Sequence, residues 1–173
     1  FEKRTLMTQP TIYIETSVIS YLTARLSNDL VIAGHQKLTR DWWEQRRVDF
    51  ELYTSQLVTQ EARRGDSQAA AKRWQILQHL PLLPITKEIF ELADDLVQKR
   101  ILPIQAHTDA LHIAVAIFHD IDYLLTWNCR QIANAEIHRQ IAKLSFQQGY
   151  GEMPILCTPY ELMGGKLCGL TTL

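Results

Sequence analysis

The stretch His107–Ile132, HTDALHIAVAIFHDIDYLLTWNCRQI, decides how the chain is read. It opens on a helix-start signal, in which Thr108 can cap and Asp109 falls in the first turn. Ala110, Leu111, Ile113, Ala114, Val115, Ala116, Ile117 and Phe118 follow and leave no wet face. A helix of that kind belongs in the middle of a domain. Asp120 and Asp122 interrupt it, Tyr123-Leu124-Leu125-Thr126 reads as a short buried strand, and Asn128 ends the strand. A carboxylate at the start of a buried helix, then a strand ending in Thr-x-Asn, brings polar groups to one edge of an α/β sheet. In open α/β sheets that edge, at the strand C-termini, is where sites are built.

Working outward, Thr11–Ile14 is a β-branched and aromatic run, hence a strand. It ends in Glu15-Thr16-Ser17, where Thr16 or Ser17 can cap a short helix over 18–22. The capping cluster Ser27-Asn28-Asp29 starts a helix to about Arg47, with Val31, His35, Leu38 and Trp42 at helical spacing. A second strand covers 50–53, and Thr54 or Ser55 caps a helix over 56–64 that carries Glu61 and is stopped by Gly65. Asp66-Ser67 opens the next helix, with Ala70, Trp74, Leu77 and Leu80 inward. A short strand at 81–85 leads to a helix striped by Ile89, Phe90, Ala93, Leu96 and Val97. Beyond Asn128 come a helix over 131–147, a strand over 154–157 and the capping box Thr158-Pro159-Tyr160-Glu161. Strands alternating with helices predict a single α/β domain over 11–165 on a small parallel sheet of about 4–5 strands. Residues 1–10 read as a leader or tag-like segment, with Met7 a candidate native start, and 166–173 as a loose tail.

The bulk numbers narrow the function classes. The chain has 173 residues, 46% hydrophobic, enough for one sizeable core. Its 18 basic and 19 acidic residues nearly cancel, which excludes a mainly electrostatic nucleic-acid binder but not an enzyme with a basic rim. Cys129, Cys157 and Cys168 have no paired spacing, so neither a disulfide framework nor a zinc knuckle is indicated. No apolar run approaches a membrane span and no signal peptide is visible. A reducing cytoplasm is the expected compartment.

Three acids, Glu15, Glu61 and Asp109, together with Asn128, fall at element ends or on a helix beside the presumed sheet edge. Oxygen donors clustered in this way suit Mg²⁺ or Mn²⁺, hard cations bound through few carboxylates. Each residue also has an ordinary explanation. Asp109 suits a helix start, Glu61 a solvated helix face, and Asn128 a turn. Glu15 is the odd one, since folding seldom needs a charge directly after an apolar strand.

In order and context these pieces resemble PIN-domain ribonucleases of the kind found as VapC-like toxins of type II toxin–antitoxin systems. The matching segments are IYIETSVISYL (Ile12–Leu22), LVTQEA (Leu57–Ala62), TDALHIAVA (Thr108–Ala116) and LLTWN (Leu124–Asn128). The resemblance implies a small parallel sheet flanked by helices and an acid cluster that holds one or two Mg²⁺ or Mn²⁺ ions and cleaves RNA. By motif match, Glu15, Glu61, Asp109 and Asn128 take the four catalytic and metal-binding positions in turn. The first position is usually Asp and the fourth often so, which leaves this site about one negative charge short. Metal-assisted hydrolysis of the phosphodiester is the mechanism implied. An antitoxin protein and a second copy of the chain are the implied partners.

Candidates for substrate contact are Thr16 and Ser17, whose hydroxyls could orient or ligate, and Arg63 and Arg130, beside Arg64, for the phosphate. Trp42 and Trp43 beside Arg46 and Arg47 could stack single-stranded RNA, core packing being the plainer reading. Trp127 is read as core, and His112 as a satisfied histidine in an apolar helix. No glycine-rich turn follows the first strand, and no nucleophile elbow is present. The rival from another class is a catalytically weak PIN-fold module acting through RNA or protein binding; retention of Glu15, Glu61 and Asp109 together favours the enzyme.

Overall fold

The computed structural model describes residues 9–164. The tail at 166–173, Cys168 and residues 1–8 of the presumed leader lie outside the described residues. At the end of that segment, Gln9 Nε2 donates to Val48 O, and Pro10 O accepts from Glu51 N.

Five strands form one sheet: β1 (Thr11–Ile14), β2 (Glu51–Ser55), β3 (Leu82–Leu83), β4 (Tyr123–Leu125) and β5 (Ile155–Cys157). Their order is β3-β2-β1-β4-β5, and every neighbouring pair is parallel. The chain steps outward from β1 to β2 and β3, then returns to the other side of β1 for β4 and β5. The reversal lies between β1 and β4, paired Ile12 to Tyr123 and Ile14 to Leu125. A crevice at the carboxyl ends of such a pair is where open α/β sheets bind ligands.

Seven α-helices among the described residues connect the strands: α1 (Thr16–Thr23), α2 (Leu30–Gln45), α3 (Gln56–Ala62), α4 (Ser67–Leu77), α5 (Lys87–Gln98), α6 (His107–Phe118) and α7 (Ala135–Gln147). Asp29, Asp66 and Asn134 cap α2, α4 and α7 by accepting first-turn backbone N–H groups, the usual role of a short polar side chain at that position. In α6, Ala110 to Ile117 are buried without a break, as its sequence requires. Helix α5 lays Ile89, Leu92, Ala93 and Leu96 against it.

Several local expectations are corrected. Neither Thr16 nor Ser17 caps α1, since Glu15 is its N-cap and accepts from Ser17 N. Helix α6 starts one residue before Thr108 and has no side-chain cap. The helix expected from Gln131 starts at Ala135, because Asn134 offers the stronger cap. Val31, Trp74 and Phe90 are exposed rather than inward. On α2 the buried face is instead Gln36, Thr39 and Trp42, and its polar members are satisfied. Gln36 bridges Ser27 N and Arg25 O, and Thr39 Oγ1 accepts from Trp127 Nε1 at 2.7 Å.

Since Ile113 is fully buried in α6, Ile113→Ala should cost about 2–5 kcal/mol through lost burial and an unfilled cavity. Urea unfolding measures this directly, and a cost below about 1 kcal/mol would mean that α6 is not the packed centre.

Candidate metal centre and nuclease site

Glu15 follows β1 directly, and its backbone N–H donates to Leu125 O on β4. Its carboxylate turns back over the crevice toward Ser17 and Thr126, and the residue is 7% exposed. Three donors reach one oxygen, Oε2: Ser17 N at 3.1 Å, Thr126 Oγ1 at 2.8 Å, and Ser17 Oγ. Thr126 and Ser17 are fixed in turn, because Asn128 N donates to Thr126 Oγ1 and Trp127 N to Ser17 Oγ. Buried polar groups in a chain of this kind hold each other's geometry.

Glu61, near the end of α3, is held in the same fashion. Thr16 Oγ1 and His112 Nε2, the latter at 3.0 Å, both reach its Oε2. Burial alone would raise its carboxyl, but the hydrogen bond and charge of His112, the Thr16 hydroxyl and the charge of Arg64 outweigh that and hold it below the usual range. One carboxylate oxygen each from Glu15 and Glu61 and a ring nitrogen of His112 lie within 4.8 Å of one another.

Asp109 completes the acidic group from the first turn of α6. Burial pushes its carboxyl up. His112 opposes this, Glu15 adds to it, the Asn128 hydrogen bond opposes it and Glu61 adds to it. Two neighbouring carboxylates therefore act on Asp109, as like charges that share a site do. Glu15 and Glu61, far apart in the chain, thus come within reach of one ion, and Asp109 lies close enough to feel the charge of both, although the tight group is completed by His112 and not by Asp109.

Asn128 is also here, but in another part. Its Oδ1 accepts from Gln131 N at 3.1 Å, which fixes the turn after β4. Its side chain also hydrogen-bonds Asp109. The oxygen expected to ligate is thus engaged in the turn, and Asn128 enters the site as a donor to an acid.

The substrate candidates divide. Thr16 and Ser17 are at the site, occupied with Glu61 and Glu15. The Arg63 guanidinium lies 5.1 Å over the Trp74 ring; its neighbour Arg64 is the one whose charge reaches Glu61. Arg130 is exposed in the turn after β4. Trp42 is core, and Trp43, with Arg47 4.9 Å over its ring, lines a groove where β2 begins, at the end of the sheet opposite the acids. Trp127 stacks on His35 with ring centroids 4.1 Å apart and ties α2 to the end of β4.

The spacing of His112 three residues after Asp109 puts both on one helix face, and His112 is buried and satisfied as expected, its partner being Glu61. The hydroxyl of Thr126 on Glu15, and Tyr13 and Ser55 behind His112, carry no signal in the sequence.

A comparison with protein families matches the PIN domain over residues 12–136, more than two thirds of the chain. The chain belongs to the PIN-domain family. PIN domains are typically metal-dependent nucleases, and the acid crevice has the donor chemistry for a divalent ion. Comparisons with the curated proteins and with the solved structures found no match. No helix among the described residues is long and apolar enough to cross a membrane.

Two outcomes follow from the electrostatics. Asp109 is harder to ionise folded than unfolded, so the metal-free fold loses stability as pH rises through its raised pKa and is unaffected below the ordinary value of 3.8. In EDTA, Asp109→Asn should therefore melt above the parent at about pH 7 and converge with it near about pH 4; a lower melting point at neutral pH would contradict this. Asn128→Asp adds a charge against Asp109, and should lower the melting point in EDTA while enlarging the gain on adding Mn²⁺. An unchanged Mn²⁺ gain would place position 128 outside the ion's surroundings.

Proposed function

We propose that the protein is a divalent-metal-dependent endoribonuclease that hydrolyses RNA phosphodiester bonds. The observation that carries this reading is the meeting of Glu15 and Glu61 at the β1–β4 crevice with Asp109 beside them, two acids held by hydrogen bonds and the third raised chiefly by burial and further by the charge of the other two. Mg²⁺ or Mn²⁺ is the ion such a set of hard oxygens takes. When bound, the ion counters charge on the phosphate and makes an attacking water more acidic. The protein's own part is to supply one free oxygen from each carboxylate while hydrogen bonds hold the other. Asn128 keeps Asp109 turned toward its neighbours. Arg64, and Arg63 and Arg130 on the exposed rim, are the candidates to attract the RNA backbone.

The reading extends to a VapC-like toxin working in the cytoplasm, blocked by an antitoxin protein and forming a homodimer. Supporting it are the exposed apolar side chains of Leu26, just before α2, and of Leu30 and Val31 in its first turn, 65%, 88% and 67% accessible, of a kind that marks partner surfaces. Exposed, unpaired Cys129 suits a reducing compartment.

The test is cleavage of a labelled single-stranded RNA with Mn²⁺, with Mg²⁺ and with EDTA, by the parent and by Glu15→Gln and Glu61→Gln. The expected result is cleavage only with metal, reduced at least about a hundredfold in each variant. RNA binding without metal-dependent cleavage would overturn the enzyme reading in favour of a binding module.

A further inference from the structure

His112 is 1% exposed within the apolar run of α6 from Ala110 to Phe118, and both of its ring nitrogens are engaged. Nε2 is 3.0 Å from Glu61 Oε2, and Nδ1 is 2.8 Å from the Tyr13 hydroxyl. Tyr13, fully buried in the middle of β1, is in turn 2.8 Å from Ser55 Oγ, the last residue of β2. A relay therefore runs from the sheet interior, Ser55 to Tyr13 to His112, and ends on an acid of the site. Filling space does not demand it, since Phe at 13 and Leu at 112 would occupy much the same volume without bringing polar groups of their own into the core.

We propose that His112 is a positioning residue for the Glu61 carboxylate, with Tyr13 setting the ring's orientation and proton placement. An ionised carboxylate has no proton to give, so the contact exists only with a hydrogen on Nε2. In the neutral ring Nδ1 then accepts from Tyr13, whose hydroxyl burial keeps protonated, and in the charged ring Nδ1 donates to the Tyr13 oxygen, so that Nε2 donates to Glu61 in either form. Together with Thr16, which donates to the same oxygen, His112 fixes Oε2 and leaves Oε1 for the ion. Glu15 is treated alike by Ser17 and Thr126. Both glutamates are thereby pre-set to offer one oxygen, which offsets the looseness of a side chain one methylene longer than Asp. His112 acts through Glu61 and is not itself a ligand, although its nitrogen lies within 4.8 Å of both acids.

The inference rests on the metal-dependent reading, and its experiment keeps the two apart. Mn²⁺-linked thermal melts and the Mn²⁺ concentration for half-maximal RNA cleavage are measured for the parent, His112→Leu and His112→Gln. Histidine ¹⁵N shifts are recorded for the parent at neutral pH with and without Mg²⁺. Leu should raise the half-maximal Mn²⁺ about 10–100-fold, the range for loss of residues that orient ligands. Gln, whose amide can donate from near the position of Nε2, should restore it to within about threefold. Nε2 should carry its proton in both spectra. If Leu fails to fold, Gln and the spectra still decide. Parent-like behaviour in Leu, failure of Gln to rescue, or loss of the Nε2 proton on adding Mg²⁺ overturns the positioning role while the nuclease reading stands. Absence of any Mn²⁺-linked shift in the parent overturns both.

Discussion

A single carboxylate oxygen, Glu15 Oε2, joins three parts of the fold. It accepts from the backbone and hydroxyl of Ser17 in the first turn of α1 and from Thr126 at the end of β4, while the Glu15 backbone donates to Leu125. A buried carboxylate is costly unless hydrogen-bonded, and here the bonds come from the elements that flank the crevice. The polar groups that make the site usable are thus also those that join β1, α1 and β4 where the strand order reverses. Site geometry and local stability are properties of one network.

That network needs a rigid floor, and α6 provides it. Its continuous apolar surface leaves it no stable place but the interior, which fixes the direction of its first turn and so of Asp109 and His112. The outcome is a division of labour among four polar residues. Glu15 and Glu61 are held by donors, while Asp109 is raised first by burial and then by its acidic neighbours, and the Asn128 hydrogen bond opposes this. An ion that bound Asp109 would favour its charged form, which is the physical reason to expect folding and metal binding to be linked.

The fold was largely legible because its signals are local. The unbroken apolar run of α6, the β-branched strand at Thr11–Ile14, and Asp and Asn before helices each specify their element without tertiary help. The converging acids were legible because Glu15, Glu61 and Asp109 each sit at an element end on the side where parallel strands finish. What was hidden depends on distances between elements. That Thr16 orients Glu61 rather than capping its own helix, that Tyr13 reaches His112 across 99 residues of chain, and that Asn128 turns its oxygen to Gln131 all require knowing which strands are neighbours. Trp74 and Phe90 were misplaced for a simpler reason: helical spacing assigns a face, and a large side chain at the face's margin can lie on either side of it.

If these three acids, arranged by those hydrogen bonds, hold a divalent ion, an anomalous difference map from a crystal of the protein soaked in Mn²⁺ reveals it. A peak is expected at the β1–β4 crevice about 2.0–2.3 Å from Oε1 of Glu15 and Glu61, with Asp109 bound directly or through one water. A map with no peak there at saturating Mn²⁺, or a peak only elsewhere on the molecule, would contradict it.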